Sequence, residues 1–270
     1  MHIRHPQAAD LGGMALVARS AMFDDPITAF VSPYRKQHPE CLRQALFRRA
    51  KWRLYSGRYL LIAVTDQQDY DWDGSERVVG YLGAISPTWK EEQASRPWFS
   101  WNGKQLCALP VGVLLIFKAL ELAALSLENS FIDTVGADRS KSIKNMNEFL
   151  GVLQAAYTTG PFAHLDKYWD IDFLSVDPAY HRRGIGKALL GRVQALAAQD
   201  GVPLTLLATD TGKNLYKRAG FDELCKLGAG SYFLFTAMIW YPKSSVEREP
   251  QKLDESAGDG SSHRASAPLT

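Results

Sequence analysis

Along the chain, the spacing of apolar positions switches between the two-residue period of a strand and the 3.6-residue period of a helix, and those switches outline a fold. His2 to His5 reads as a short strand. From about Ala8 to Met22, the apolar residues Leu11, Met14, Ala15, Ala18 and Met22 stand at helical spacing, so a helix follows. Pro26 and Pro33 bracket a short turn of helix, and Glu40 to Tyr55 forms a basic amphipathic helix that stops before Gly57. Arg58 to Thr65 and Arg77 to Ser86 read as strands, since Tyr59, Leu60, Ile62, Val64 and Val78, Val79, Tyr81, Leu82 have strand-forming character. The polar run between them carries Asp73-Gly74 and marks an exposed hairpin connection.

From about Pro87 to Lys167 the strand period disappears. Two helical patterns, near Val111 to Leu127 and Lys144 to Ala156, make this stretch a helical insertion. From Tyr168 onward, strand and helix alternate: strand Asp170 to Val176, helix Gly184 to Gln199, strand Pro203 to Thr209, helix Gly212 to Ala219 and strand Tyr232 to Tyr241. Such alternation predicts an α/β (α+β) chain with a mixed sheet and helices on its faces. Ser244 to Thr270 is polar and nearly free of apolar residues, so it cannot offset its ordering entropy and is expected to be a disordered tail.

Composition excludes more than it selects. Lys plus Arg total 31 against 29 Asp plus Glu, a balance that provides no field to attract nucleic acid or an anionic membrane. The three cysteines, Cys41, Cys107 and Cys225, lie far apart and share no short ligand spacing with the six histidines. No disulfide framework and no metal site is expected, and the pattern suits a reducing compartment. The N-terminus lacks the apolar run of a secretory signal, so the expected location is cytoplasmic. The most apolar stretch, Leu106 to Phe117, is interrupted by Pro110 and Gly112 and falls short of the about 20 residues a bilayer crossing needs.

The candidate chemistry lies between Trp169 and Phe221. A strand runs through Asp177-Pro178 into a basic turn, and Gly184 and Gly186 open a helix whose apolar stripe is Ile185, Leu189, Val193, Leu196 and Ala197. A helix N-terminus offers unpaired N–H groups and the positive end of the macrodipole, while glycines let a ligand approach the backbone, an arrangement suited to a pyrophosphate. A dinucleotide fingerprint would need glycine where the chain has Leu189, and a Walker A loop would need glycine at His181, so neither fits. A bare turn that starts a helix remains the alternative. In the strand, period 2 puts Ile171 and Phe173 on one face and Leu174 and Val176 on the other, so the pattern slips between Phe173 and Leu174. A β-bulge would produce that slip, and a strand buried on both faces would give the same pattern without one.

Asp170 through Gly186, followed by LTLLATDTGKNLYKRAGF, resembles the core of the GCN5-related N-acetyltransferase (GNAT) family: a bulged strand, a Q/R-x-x-G-x-G/A turn, a helix, a strand, and a short helix ending in Tyr-x-x-x-Gly-Phe. The match covers about fifty residues. The resemblance implies the acyl-CoA N-acyltransferase fold, a mixed and mostly antiparallel sheet with helices on both faces, spanning 1–243 with the insertion (about 87–167) between the third and fourth strands.

It also implies acetyl-CoA as donor, direct attack by an amine in a ternary complex, and a set of site residues. Backbone N–H groups around His181, Arg182, Arg183, Gly184, Ile185, Gly186 and Lys187 would hold the pyrophosphate. Leu174, Ser175 and Val176 would bond the pantetheine arm. His181 departs from the family's usual Gln or Arg, a change expected to tune binding because the contacts are mostly backbone.

Tyr216 matches the family's tyrosine that protonates the departing thiolate; the alternative is a core aromatic, and Gly220 and Phe221 read as a helix stop and a core anchor. Asp170 falls where several members keep a Glu that deprotonates the amine through water. Asp172 shares its strand face, and burial or mutual repulsion would raise one of the two pKa values toward a useful range; the alternatives are ordered water as the base, with either acid simply bonding a neighbouring loop. Trp89, Trp98, Phe99, Trp101 and the apolar helix from Val111 either suit a bulky, partly apolar small-molecule acceptor or pack the insertion onto the core. A peptide acceptor and a non-catalytic acyl-CoA-binding module remain as alternatives.

Overall fold

The computed structural model describes residues 1–89, 109–229 and 233–242. Seven strands form one sheet: β1 (His2–Arg4), β2 (Tyr59–Val64), β3 (Val78–Ile85), β4 (Trp169–Val176), β5 (Leu204–Ala208), β6 (Asp222–Ala229) and β7 (Phe233–Trp240), in the order β1-β2-β3-β4-β5-β7-β6. Every neighbouring pair is antiparallel except β4 and β5, which run parallel. The helices are α1 (Leu11–Met22), α2 (Pro26–Val31), α3 (Pro39–Tyr55), α4 (Leu109–Val135), α5 (Ile143–Thr158), α6 (Ile185–Asp200) and α7 (Asp210–Arg218). The mixed, mostly antiparallel sheet is the expected fold, and α4 and α5 both lie in the connection between β3 and β4.

Period-2 alternation in the central strands supplies two cores. Leu61, Ala63 and Leu82 face α6, whose Ile185, Leu189, Val193 and Ala197 are buried against them. Leu60, Ile62, Val64 and Tyr81 face the other way and pack under Leu11, Met14 and Ala18 of α1 and Leu42, Leu46 and Ala50 of α3. The two-sided burial explains why β2 is apolar almost throughout rather than alternating. Leu189 alone, fully buried, contributes about 2 kcal/mol of apolar transfer energy. Helix ends follow local chemistry: Asp25 accepts from the Ile27 amide at 2.9 Å ahead of Pro26, and Gly201 ends α6 at φ 66°. Gly220 stops the turn after α7 at φ 86°, and Phe221 is buried beside it.

The structure corrects the sequence reading in three places. Asp222–Ala229 forms strand β6, paired along β7, where no strand was expected. Its side chains are mostly exposed, so the edge strand carries little of the apolar signal by which strands are recognised. α4 extends to Val135, past the expected end near Leu127. The bulge in β4 lies one residue earlier than the slip suggested, as described below. The tail from Ser244 and the aromatic residues Trp98, Phe99 and Trp101 lie outside the described residues.

Candidate active site

Strand β4 is paired on both sides only at its start. It meets β5 through Trp169, Asp170 and Ile171, opposite Leu204, Thr205 and Leu206; beyond Ile171 it continues to Val176 along β3 alone, while β5 continues along β7. The two parallel strands therefore part after Ile171. On the β3 side the register shifts between Gly83 and Ala84, so Phe173 pairs with Gly83, Ile171 with Ala84, and Asp172 is left as the bulged residue. Ile171 packs with Leu174 and Val176 on the α6 face, whereas Phe173 packs on the α1–α3 face. Ile171 and Phe173 thus sit on opposite faces, contrary to the simple period. Glycine at 83 is what admits the bulge: a Cβ there would lie 2.7 Å from Asp172 Oδ1.

At the end of β4 the chain turns tightly. Asp177 accepts from the Ala179 amide at 2.9 Å, and the His181 ring bonds the Val176 carbonyl at 2.9 Å. Arg182 and Gly184 both adopt left-handed backbone, at φ 62° and 80°. Two left-handed residues flanking one other residue curl successive N–H groups into a concavity, the geometry of an anion nest. The first helical bond of α6 is Ala188 N–H to Gly184 O at 2.9 Å, and the amides of residues 182–187 make no hydrogen bond within the described residues. All six are available to an anion at a helix N-terminus.

The neighbouring side chains divide. Arg183 folds back on the start of the turn, its guanidinium 4.7 Å from the Tyr70 ring and 4.6 Å from the Tyr180 ring, and it donates to the Tyr70 hydroxyl at 2.7 Å and the Ala179 carbonyl at 3.4 Å. Arg182 and Lys187 are exposed and form no ion pair among the described residues. Ser175 is buried with its hydroxyl unpartnered and stands opposite Tyr81 of β3. Gly186 is a packing position, since a Cβ there would stand 3.1 Å from Leu215 Cδ2, and this close approach brings α7 against the turn.

Tyr216, on α7, is buried in the α6-face core edge-on to Phe221 at 5.8 Å. Its hydroxyl makes no hydrogen bond within the described residues, and burial pushes the phenol well above its ordinary range. It keeps its proton at any physiological pH and can act as a donor.

Asp170 and Asp172 point to the opposite face and differ sharply. Asp170 is almost fully buried. The Tyr157 hydroxyl of α5 donates to its two oxygens at 2.9 and 3.0 Å, and the Thr205 hydroxyl donates at 2.8 Å. Burial raises its pKa to about 6, and the hydroxyl donors partly offset that rise. Asp172 is instead a counterion: Arg53 of α3 donates Nε at 3.0 Å to Oδ2, and Arg58 bonds the same oxygen. Sequence reasoning named both acids but missed Tyr157, Thr205, Arg53 and Arg58. Their sequence separations from these acids, 13, 35, 119 and 114 residues, leave no local signal. Trp89 lies at this face, its indole N–H donating to the Ser56 carbonyl at 3.0 Å.

Residues 143–223 match the family model described as "Acetyltransferase (GNAT) domain". Over those residues the chain is similar to a GNAT acetyltransferase domain. Among solved structures, the chain resembles one described as histone acetyltransferase HPA2 and related acetyltransferase from Corynebacterium glutamicum, at 17% identity and TM-score 0.54, over 89% of this chain and 96% of that one. An N-acetyltransferase from Staphylococcus aureus aligns at 15% identity and TM-score 0.48, over 89% of this chain and all of that one. The first likeness is one of fold and spans most of the chain, β1 to β7. Among the described residues, no helix is long and apolar enough to cross a membrane, and no group of three or more His, Cys, Asp or Glu is placed to hold a metal.

Proposed function

We propose that this GNAT chain is an acetyl-CoA-dependent N-acetyltransferase that acetylates an amine of a small-molecule acceptor by direct attack in a ternary complex. The observation that carries the reading is the gap between β4 and β5 with the six unpaired amides of residues 182–187 at its end. Those amides suit a pyrophosphate, and the edge of β4 from Leu174 to Val176, unpaired with a strand on the β5 side and with its Val176 carbonyl bonded to the His181 ring, suits the amide-bearing arm of the cofactor. Residues 1–243 are taken as the catalytic unit, since β1 pairs into the sheet and β7 ends at Trp240.

Asp170 lies on one face of the sheet and Tyr216 on the other. In this reading Asp170 accepts the proton that frees the acceptor's lone pair, directly or through water. The nitrogen forms the new bond to the thioester carbonyl carbon as the carbon–sulfur bond breaks, and Tyr216 O–H protonates the departing thiolate. A carboxylate with pKa about 6 is ionised at neutral pH yet basic enough to assist, and the high pKa of a buried phenol keeps its proton in place until a thiolate develops. Asp172, committed to two arginines, acts as an anchor. The free thiols of Cys41 and Cys225 and the need for acetyl-CoA favour a cytoplasmic location.

Thiol release from acetyl-CoA, measured with a panel of amines, alcohols and peptides, tests the reading. Release that depends on a small amine is expected. Release with peptides alone would favour a protein acetyltransferase, and acetyl-CoA binding without release a non-catalytic module.

A further inference from the structure

The two arginines on Asp172 carry more positive charge than that contact uses. Arg53 and Arg58 converge on one carboxylate oxygen, and their side chains are only 13% and 10% exposed. Among the described residues Arg53 uses Nε alone and Arg58 one Nη alone; their remaining guanidinium N–H groups have no acceptor there, Arg58 Nε is fully buried without one, and Asp172 Oδ1 is likewise buried and unpartnered. Leaving buried charged donors unpaired is costly, and two guanidiniums on one carboxylate leave one unit of positive charge in excess. Aromatic rings hold the forks in place. Arg58 lies 4.6 Å from the Trp52 ring and 5.3 Å from the Trp89 ring, and Arg53 lies 4.6 Å from the ring of Phe173. A guanidinium fixed in this way loses little freedom when it binds a planar oxyanion.

Position makes the excess informative. Asp172 is the bulge residue, next to the last β4 residue paired with β5, so the carboxylate that the arginines hold stands where the gap opens, two residues from Asp170. The face thus presents a negative group, Asp170, beside a positive pair, Arg53 and Arg58. We infer that the acceptor is an amine carrying its own oxyanion, a carboxylate or a phosphate, a few bonds from the nitrogen, and that Arg53 and Arg58 read that oxyanion. The amine end of such a molecule meets Asp170 and the anionic end meets the guanidinium forks, so the site's dipole sets the direction in which the acceptor enters. A simple alkylamine or polyamine satisfies only half of it.

This inference rests on the acetyltransferase reading, and matched acceptor pairs separate the two. Thiol release from acetyl-CoA is measured on the full chain with amino acids of increasing amine-to-carboxylate spacing against their carboxamides, and with O-phosphoethanolamine against ethanolamine. The anionic member of at least one pair is expected to have a kcat/KM roughly 10–100-fold higher, the range for hydrogen bonds to charged groups. The series that shows the preference distinguishes carboxylate from phosphate. Arg58→Gln should collapse that ratio, and Arg58→Lys, which keeps the charge and loses the fork, should restore only part of it. Equal rates within every pair, preference for the uncharged members, or acetyl-CoA binding with release from none of the anionic amines would overturn the inference. Absence of acetyl-CoA binding altogether would instead remove the enzyme reading beneath it. Because the native protein supplies the ratio, a misfolded variant does not rescue or sink the inference.

Discussion

On one side of the β4–β5 gap, the groups suited to the donor come largely from one uninterrupted stretch, Leu174 to Lys187, and most of them are backbone amides. On the other side, Asp170 and Asp172 owe their states to side chains on α3, α5, β5 and the start of β2, as far as 119 residues away. A site made of backbone in a fixed turn tolerates side-chain change, provided the φ angles are kept. A site made by convergence of distant side chains depends on the whole fold, and each of its pKa values is a balance that one substitution can tip.

The largest effect is expected on the assembled side. Asp170→Asn removes the proton acceptor and should lower kcat by roughly 10²–10⁴-fold while leaving acetyl-CoA affinity unchanged. The same variant has a stability signature. Burial raises Asp170 from an ordinary 3.8 to about 6, so the folded chain holds this proton more tightly than the unfolded chain does. The native protein should therefore lose stability as pH rises from about 4 to 6, by about 3 kcal/mol once the buried carboxylate is ionised. Asp170→Asn should not show that loss, which melting temperatures across the same window would reveal. A native rate near pH 7.5 in the variant would remove Asp170 from the chemistry.

Tyr216 comes second. Tyr216→Phe keeps the ring in its core and deletes only the hydroxyl, which makes no hydrogen bond within the described residues; the change should leave melting temperature nearly untouched and cut kcat by about 10²-fold, since water partly substitutes as donor. An unaltered kcat would make Tyr216 a core aromatic and leave the cofactor side standing on its backbone alone.

The backbone side is probed by Gly184→Val. No atom lies within 4 Å of a Cβ at 184, so a side chain there meets no protein, but φ of 80° is strained for any L-residue. That strain is about 1–2 kcal/mol, and flattening the turn to relieve it should weaken acetyl-CoA binding by roughly tenfold or more. Calorimetry would check this. Gly186 is less discriminating, because valine there also collides with Leu215.

The same contrast explains what could be read in advance. The turn, the α6 stripe and the short helix that carries Tyr216 were legible as structure because short spacings define them, and the bulge was legible as a slipped period. Its position at Asp172 was not, since the displaced residue is polar and period counting registers only apolar ones. β6 escaped because its exposed side chains follow no apolar alternation. Tyr157 falls just past the expected helix Lys144 to Ala156, Arg53 belongs to the basic amphipathic helix Glu40 to Tyr55, and Arg58 opens an expected strand, so none carried a sign of its partner. Only folding reveals that they face two acids.

The smallest expected effect is the sharpest on this point, because it asks whether Tyr157 acts through Asp170 or merely packs. Its hydroxyl donates to both oxygens of the carboxylate, a contact that favours the ionised form and holds the pKa of Asp170 lower than burial alone would. Tyr157→Phe retains the ring, which lies parallel to Tyr168 at 6.3 Å and tilted on Phe162 at 5.3 Å, so packing should survive. Losing a hydrogen bond to a charged group, about 1.5 kcal/mol, moves the pKa upward by about one unit. The rising limb of the kcat–pH profile should therefore shift from near pH 6 toward pH 7, and the variant should recover most of its rate at pH 8.5. A purely structural role would lower the rate equally at every pH and leave the midpoint in place. Loss of the same midpoint in Asp170→Asn would tie the titration to the carboxylate rather than to the acceptor amine, and would make Tyr157 the positioning residue that sets the working pH of the assembled side.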